Sequence, residues 1–344
     1  MGERRGTLGI RVVGLLASAA AMWLVLRSVD VGASFALLSQ ANPLPLMGVL
    51  GVLTAQVLLR ALRWPLLLPA PRGGGSIHLR RIVPVLLVGY LGNAVLPIRL
   101  GEPIRAFLVA RREDVDAAEA FGSVILERVI DTATLAIVAF AAAVAVNAPE
   151  WIVRGTAVAA IAGAVLITAL VTVGVGSPVR QIRLLTHRLP GARRAEPILA
   201  RLDSFARGVD RHSRSRVMLV ALIVSFACWM LDAVTFSLVA RSVGVSISPM
   251  AALLIAAVTV LGTALPSAPG YVGTFELAAA ATAQTLGVPP ASALAIAVLA
   301  HVLMVVPVAI GGAFSLVAMD VQLGRLAEDT TRARTVAAPT VTQP

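Results

Sequence analysis

Long uncharged apolar runs alternate along the chain with short stretches that are rich in arginine. A helical apolar run of about 20 residues matches a hydrocarbon core about 30 Å thick. Six runs are predicted to be full membrane-spanning helices, at residues 12–26, 44–59, 118–146, 155–174, 217–240 and 291–319. The pattern therefore predicts an all-α polytopic membrane protein.

Two further apolar segments, residues 82–98 and 250–286, are predicted to be re-entrant hairpins of opposite orientation. The first has arginines on both sides, so the positive-inside rule places both of its ends in the cytoplasm. The second lies between spans that leave both of its ends on the outer side. Each hairpin has a cluster of proline and glycine where its helix breaks. Irregular backbone at this depth must be covered by protein or line a wet cavity.

The arginines also predict where the termini lie. Arg4, Arg5 and Arg11 precede the first span and place the N-terminus in the cytoplasm. The small residues at 17–21 also fit a signal-peptide cleavage region, but such a peptide is usually solitary and many spans follow here. We expect a multi-pass protein of the inner cell membrane with both termini in the cytoplasm.

The order of spans and hairpins divides the chain into two halves of opposite orientation, at about residues 8–147 and 151–319. Inverted repeats with interrupted helices are typical of carriers whose binding site lies near the bilayer midplane. We predict one integral membrane domain over residues 1–319. Within it, residues 177–216 form an arginine-rich cytoplasmic loop, and residues 320–344 follow as a disordered cytoplasmic tail.

Composition excludes several kinds of chemistry. All 29 basic side chains are arginine, so no lysine is present for a phosphate-binding P-loop or a Schiff base. Cys228 is the only cysteine and there are four histidines, which argues against a disulfide or a metal centre, and no cofactor is expected. The arginines that give the net charge of +11 lie beside the spans, and the chain has few aromatic residues that could stack on bases. Anionic lipid head groups are therefore the expected partner, rather than nucleic acid.

The first hairpin contains a candidate phosphate-binding motif at residues 96–105. Glu102 is suited to cap a helix that starts at the following proline. The free amides near Gly101 and the positive end of the helix dipole favour an anion. Arg99 and Arg105 would share a helical face with Glu102 and could hold a phosphate through paired donors. The alternative is a pair of ordinary interfacial arginines.

The second hairpin repeats this design with Gly270 and Gly273 at the break and Thr274 as the expected cap. Glu276 follows in an otherwise uncharged stretch. A buried carboxylate at the centre of a membrane costs at least about 2.5–3.5 kcal/mol unless it is compensated. Glu276 is therefore expected to have a pairing partner, a proton or a wet cavity.

Glu127, Arg128 and Asp131 form a charged cluster inside a predicted span. Spacings of three and four residues place Arg128 against Asp131, and Glu127 on the same face as Asp131. The cluster could steer a lipid head group or relay a proton. The alternative is a salt bridge that locks two helices together.

Three further polar side chains interrupt the predicted spans. Asp232 is the only acid of its span and is expected to pair with Arg60 or Arg128. His301 falls near the place of Arg128 when the halves are aligned, and it is either a proton carrier or a histidine hydrogen-bonded between helices. Gln56 is expected to bond helices together.

These motifs resemble the lysylphosphatidylglycerol synthase transmembrane family over roughly residues 44–316. The resemblance is carried by Asn93 with residues 96–105, by Glu127 and Arg128 with Asp131, and by residues 266–276. It implies a flippase-like fold with re-entrant helices and a role in moving or presenting lipids. These lipids are aminoacylated phospholipids in the best-known case and polyprenyl-linked sugars for some relatives.

The sequence departs from the family in two respects. The soluble aminoacyl-transferring domain of the full synthase is not expected here, so that activity is not carried over. Tyr271 also stands where relatives often have another glycine, a change expected to alter which head group fits.

Three hypotheses for function follow. The first is a flippase-like protein that translocates or presents an anionic phosphate-bearing lipid, phospholipid or polyprenyl-phosphate-linked, either without an energy source or coupled to protons. The second is a membrane-embedded transferase that acts on a lipid phosphate, with Glu127, Asp131 or Glu276 as general base. The third is a scaffold for a separate membrane-associated glycosyltransferase or synthase, with residues 180–216 as the docking surface. The absence of a nucleotide-binding motif favours a protein that is not an enzyme.

Overall fold

The computed structural model describes residues 16–27, 29–96, 100–176, 179–181, 184, 192–210, 216–263 and 267–319. These residues form helices and turns, with no strand among them. The first six helices are α1 Leu16–Arg27, α2 Val31–Ser39, α3 Pro43–Leu67, α4 Leu79–Val95, α5 Gly101–Glu113 and α6 Ala117–Ala145. The other six are α7 Glu150–Thr172, α8 Ala192–Asp210, α9 Arg216–Ser242, α10 Pro249–Gly262, α11 Thr274–Thr285 and α12 Pro290–Ala318.

Five helices (α3, α6, α7, α9 and α12) are long and apolar enough to cross a bilayer. A sixth crossing results if α1 and α2, which meet at an angle of 88°, count as one bent span. The prediction of an all-α multi-pass membrane protein is confirmed. The first predicted span, residues 12–26, differs in form because its helix turns sharply before α2, and residues 12–15 lie outside the described part of the chain.

Helix α3 is longer than the apolar run predicts. It starts at Pro43, with the Asn42 side chain accepting from the Leu44 amide at 2.9 Å, and it continues to Leu67. Arg60 and Arg63, which follow the predicted span at residues 44–59, therefore lie inside the helix. Acidic side chains from other helices lie close to both arginines, which lets the helix carry them into the protein.

The predicted first hairpin consists of α4 and α5, of 17 and 13 residues. Gly101 at the start of α5 packs on Gly89 and Gly92 of α4, and Arg105 further along α5 packs on Gly89. The later residue of α5 thus contacts the earlier residue of α4, so the two helices are antiparallel. The break itself, at residues 97–99, lies outside the described residues.

The predicted second hairpin consists of α10 and α11, of 14 and 12 residues, with a 3₁₀ turn at Pro269–Tyr271 between them. A Cβ atom at Gly262, the last residue of α10, would meet the Ala278 Cβ atom of α11 at 2.9 Å. Each of these helices is shorter than the about 20 residues that a full crossing needs. Residues 264–266, including Pro266, lie outside the described residues.

The helices pack into one bundle. The largest apolar cluster joins α3, α6, α9, α10, α11 and α12. Seven packing pairs matter for the site, namely α3 with α9, α4 with α12, α6 with α10, α5 with α6, α11 with α12, α4 with α5, and α10 with α11. The short helices α4 with α5 and α10 with α11 form two broken helix pairs. Both pairs therefore lie inside the bundle, against the long helices α6 and α12.

The arginine-rich loop contains the amphipathic helix α8, which packs on the start of α6. The Arg207 Nε atom donates to Glu119 Oε1 at 2.8 Å, and Gly208 lies against the backbone of Glu119. Ile198 and Leu202 are exposed, as expected for a helix that contacts lipid. The tail at residues 320–344 lies outside the described residues.

Candidate functional site

Arg63 is the centre of a buried ion-pair cluster. Its side chain is 1% exposed, and Nη1 and Nη2 donate to the two carboxylate oxygens of Asp131 at 2.6 and 3.2 Å. The Nη2 atom also lies 3.1 Å from Glu127 Oε1. The Ser225 hydroxyl accepts from Arg63 and donates to Asp131 Oδ1 at 2.7 Å. These contacts join α3, α6 and α9 at one point.

Two more arginines share the same carboxylates. Arg105 Nη2 lies 3.2 Å from Glu127 Oε1, and the guanidinium carbon lies 4.8 Å from the centre of the Trp64 ring. Arg128 Nη2 lies 2.6 Å from Glu127 Oε1 and 3.2 Å from Asp131 Oδ2. Arg63, Arg105 and Arg128 thus face two acids, which leaves an excess of one positive charge.

A cavity of about 260 Å³ lies beside this cluster. Residues of both broken helix pairs and of the long helices α3, α6, α9 and α12 line it. Its polar lining consists of Gln56, Arg60, Tyr90, Asn93, Glu102, Arg128, Asp232, Thr263 and Tyr271. The volume is just below the range of about 300–1,000 Å³ that is usual for small-molecule sites. The cavity therefore has room for a polar head group rather than for acyl chains.

Arg60 is the cation of the cavity that makes no ion pair with any described residue. Among the described residues no carboxylate lies within 4.0 Å of its guanidinium, whose carbon lies 5.9 Å from the centre of the Trp229 ring. Asp232 also lines the cavity, and Arg60 is the arginine that acts on it electrostatically. Gln56, expected to bond helices together, donates to the Cys228 carbonyl at 3.0 Å, one turn before Asp232.

The start of α5 is held by Asn93 of α4. The Asn93 Oδ1 atom accepts from the Gly101 amide at 2.9 Å, and its Nδ2 atom donates to Glu102 Oε1 at 3.2 Å. The helix begins at Gly101 with Leu100 as the N-cap residue, so Glu102 lies in the first turn and is not the cap. One amide expected to face an anion is thus already bonded within the protein.

His301 of α12 contacts both α11 and the 3₁₀ turn that precedes it. Its Nδ1 atom lies 2.6 Å from Glu276 Oε1, and its Nε2 atom lies 2.6 Å from the Gly270 carbonyl oxygen. Phe275, which lines the cavity, stacks on the imidazole ring at 4.4 Å. Because a carbonyl oxygen can only accept, Nε2 donates to Gly270, and one further proton is shared between Nδ1 and Glu276.

Glu276 also stabilises the start of α11, because its Oε2 atom accepts from the Gly273 amide at 2.7 Å. The N-cap residue is Gly273 with φ of 88°, rather than the expected Thr274, whose hydroxyl donates to the Tyr271 carbonyl. Gly270 and Tyr271 also have positive φ, of 70° and 63°. Because positive φ favours glycine, a glycine at position 271 would adopt this conformation with less strain than Tyr271.

We expect Glu276→Gln to change the free energy of unfolding by less than about 1 kcal/mol and Glu276→Ala to lower it markedly. The glutamine carbonyl can accept from Gly273, and its amide can donate to Nδ1 of His301. Alanine leaves both groups unpaired, at about 1–3 kcal/mol each. Thermal unfolding of the two variants in detergent micelles tests this difference. Equal destabilisation by both substitutions would show that the carboxylate charge is required.

The structure brings most of the predicted site residues close together but divides their roles. Glu102, Arg128 and Asp232 line the cavity. Glu127, Asp131 and Arg105 form the adjoining ion-pair cluster, together with Arg128. Gly101, Gly270, Gly273, Glu276 and His301 shape the two helix starts. Arg99 lies outside the described residues.

Sequence reasoning missed Arg63, Ser225, Tyr90 and Trp229. Arg63 had a signal, because an apolar stretch from Trp64 to Leu68 follows it and a loop arginine is not expected before such a stretch. Ser225 lies in an apolar helix and looks like an ordinary small residue of a membrane span. Its role follows only from its contacts with Arg63 and Asp131.

The fold and the cavity define a multi-pass membrane protein with a charged site among its helices. The chain belongs to the family of the lysylphosphatidylglycerol synthase transmembrane region, which it matches over residues 11–312. The predicted family is confirmed. The chain is also 26% identical to the protein named glycosyltransferase AglD of Haloferax volcanii, in an alignment that covers 94% of this chain. The chain spans 56% of that relative's length. No solved structure matches it.

Proposed function

We propose that this protein translocates or presents a membrane lipid with an anionic phosphate head group, and that the head group binds in the cavity. The observation that carries the proposal is the position of Arg60 and Arg128, two arginines that line a cavity between membrane helices. A phosphate is the anion that suits this space, because a guanidinium offers it paired donors.

The position of the arginine donors supports an anionic ligand. The ion-pair cluster has one more arginine than carboxylates, and Arg128 belongs to both the cluster and the cavity wall. Asp131 and Asp232 act on Arg60 electrostatically, but no carboxylate of the described residues lies within 4.0 Å of its guanidinium. The donors of this guanidinium can therefore bind a phosphate.

We further propose that α4–α5 and α10–α11 are re-entrant hairpins of two inverted halves. The packing pairs support this, because exchange of the halves converts the contact of α4 with α12 into that of α10 with α6. The same exchange converts the contact of α5 with α6 into that of α11 with α12. Rocking of such halves about a central site is a common means of alternating access. The expected location is the inner membrane with cytoplasmic termini.

One acidic and one basic residue of the site form a pair in each half, and exchange of the halves also relates these two pairs. Glu102 lies in the first turn of α5 and interacts electrostatically with Arg128 of α6. Glu276 lies in the first turn of α11 and pairs with His301 of α12. Each half thus places an acid at the start of its second short helix, beside a basic side chain of the following long helix.

Leaflet exchange in liposomes tests the proposal. We expect the reconstituted protein to accelerate exchange of a fluorescent phosphatidylglycerol, and Arg60→Gln to reduce that rate by about tenfold or more, because a lost charged hydrogen bond is worth about 1.5–3 kcal/mol. Arg154→Gln is the matched control, since Arg154 is exposed and its ion pair among the described residues is with Glu150 of its own helix. Both variants replace a single arginine by glutamine.

Two results would contradict the proposal. One is an exchange rate equal to that of empty liposomes for phospholipid and polyprenyl phosphate alike, together with the absence of binding to either lipid. The other is an equal effect of Arg60→Gln and Arg154→Gln in correctly folded protein.

The second candidate function is participation in glycosyl transfer to a lipid phosphate, either as the membrane part of a transferase or as a scaffold for a separate enzyme. The observation that favours it is the similarity to a protein named as a glycosyltransferase. Lipid mass spectrometry of a deletion strain separates the candidates. A missing glycolipid favours transfer, whereas an unchanged inventory with an altered leaflet distribution favours translocation.

A further inference from the structure

The cavity has an acceptor side as well as its two arginines. Asp232 lines it from α9, is 2% exposed, and its Oδ1 atom has no hydrogen-bond partner among the described residues. Glu102 and Tyr90 also line the cavity. The Glu102 Oε2 atom and the Tyr90 hydroxyl are buried and have no hydrogen-bond partner among the described residues. Three residues of the cavity wall therefore each have an oxygen atom that can accept a further hydrogen bond.

A bare phosphate can accept from the Tyr90 hydroxyl, but it does not satisfy the two carboxylates. Leaving a buried acceptor without a donor costs about 1–3 kcal/mol and more when it is charged. A phosphate ester without further polar groups would occupy the arginines and bring a second anion near Asp232, and like charges repel strongly in a shielded site. The wall is therefore complementary to a ligand that carries hydrogen-bond donors next to its phosphate.

We propose that Asp232 selects lipids whose phosphate is esterified to a donor-bearing head group, such as a hydroxylated or an ammonium group, over lipids that end in a bare phosphate. In this arrangement the phosphate lies against Arg60 and Arg128, and the donor group lies against Asp232. This inference rests on the proposed binding of lipid head groups in the cavity, but it does not require that the lipid crosses the membrane.

Binding of short-chain lipids to the purified protein in detergent tests the selection. The probes are dioctanoyl phosphatidylglycerol with hydroxyls, dioctanoyl phosphatidylethanolamine with an ammonium, and dioctanoyl phosphatidic acid with a bare phosphate. We expect at least one of the first two to bind about tenfold more tightly than phosphatidic acid, a ratio equal to about 1.4 kcal/mol. The relative affinity of the first two identifies the donor as hydroxyl or ammonium.

The Asp232→Leu variant, of similar size and without an acceptor, is expected to lose this preference while it still binds phosphatidic acid. Thr235→Val is the matched control, because Thr235 lies on the same helix and its buried hydroxyl also has no partner in the described structure. Unlike Asp232 it is not part of the cavity wall. The control should keep the wild-type preference.

Asp232→Asn keeps the size and one acceptor oxygen, so it provides the measurement if the leucine variant does not fold. It is expected to keep a preference for hydroxyls and to lose one for ammonium, because the negative charge is gone. The inference is overturned if the wild type binds phosphatidic acid as tightly as both other lipids. It is also overturned if the preference persists in a folded leucine variant or, failing that, if the asparagine variant keeps an ammonium preference.

The binding experiment separates this inference from translocation. A preference that depends on Asp232, together with no leaflet exchange, retains the selective head-group site and rejects movement across the bilayer. Exchange without any preference retains translocation and rejects the role of Asp232.

Discussion

Arg63→Met is expected to lower the free energy of unfolding by about 3–5 kcal/mol, the usual cost of removing one partner from a buried ion pair. The substitution introduces an apolar side chain of similar length but leaves Asp131 without its two hydrogen bonds from Arg63. Glu127 also loses one of its three arginines. The expected result is a protein that is poorly expressed or unfolds at a much lower temperature in detergent.

The control for this prediction is Arg154→Met, which removes an arginine from an exposed pair with Glu150. Exposed ion pairs contribute about 0–1 kcal/mol, so this variant should unfold like the wild type. The double variant Arg63→Met with Asp131→Asn should be less destabilised than the sum of the single changes, because the two residues interact directly. A melting temperature of the Arg63 variant equal to that of the wild type would show that the cluster does not stabilise the fold.

Gly101→Ala is expected to separate α4 from α5 and to destabilise the protein by about 1–3 kcal/mol or more, the range for overpacking a close-packed interior. A Cβ atom at this position would overlap the Gly89 carbonyl oxygen and lie 2.5 Å from Asn93 Oδ1. The clash is with backbone, so no side-chain rotation can relieve it. The same shift would move Asn93 and Glu102, two residues of the cavity wall.

Gly155→Ala is the matched control, because Gly155 also lies within a helix and a Cβ atom there would meet no atom within 4 Å. Alanine favours helix over glycine by about 1 kcal/mol, so this variant should be at least as stable as the wild type. Comparison of thermal unfolding and of leaflet exchange for the two variants provides the measurement. If both glycines accept alanine equally well, the close contact between α4 and α5 is not needed.

The ion-pair cluster is expected to stabilise the fold, whereas the cavity is expected to bind ligands. Arg63, Ser225 and Asp131 join three long helices, and their removal should affect folding first. Arg60 and Asp232 face the cavity and make no ion pair within 4.0 Å in the described structure, so their removal should affect ligands first. Stability measurements and lipid assays on the same set of variants therefore separate the two roles.

The sequence alone determined the class of the protein and the position of most of its helices. Apolar runs of sufficient length must lie in the membrane, and local spacing places Arg128 three residues from Asp131, where the structure has an ion pair of 3.2 Å. The separation of α4 from α5 and of α10 from α11 was predictable because proline and glycine act locally on the backbone. The resemblance to the family rested on the same short motifs and is confirmed.

The tertiary structure decided which charges meet. Arg63 at the end of an apolar run has the sequence pattern of an interfacial residue, and its partner Asp131 lies 68 positions later in the chain. His301 finds Glu276 across 25 positions, and Asp232 remains without an ion pair within 4.0 Å among the described residues. Local sequence specifies helix and break through short-range backbone preferences. The partner of a buried charge depends on how helices distant in sequence pack, because it is the packing that brings the charged atoms within reach of one another and excludes water from between them.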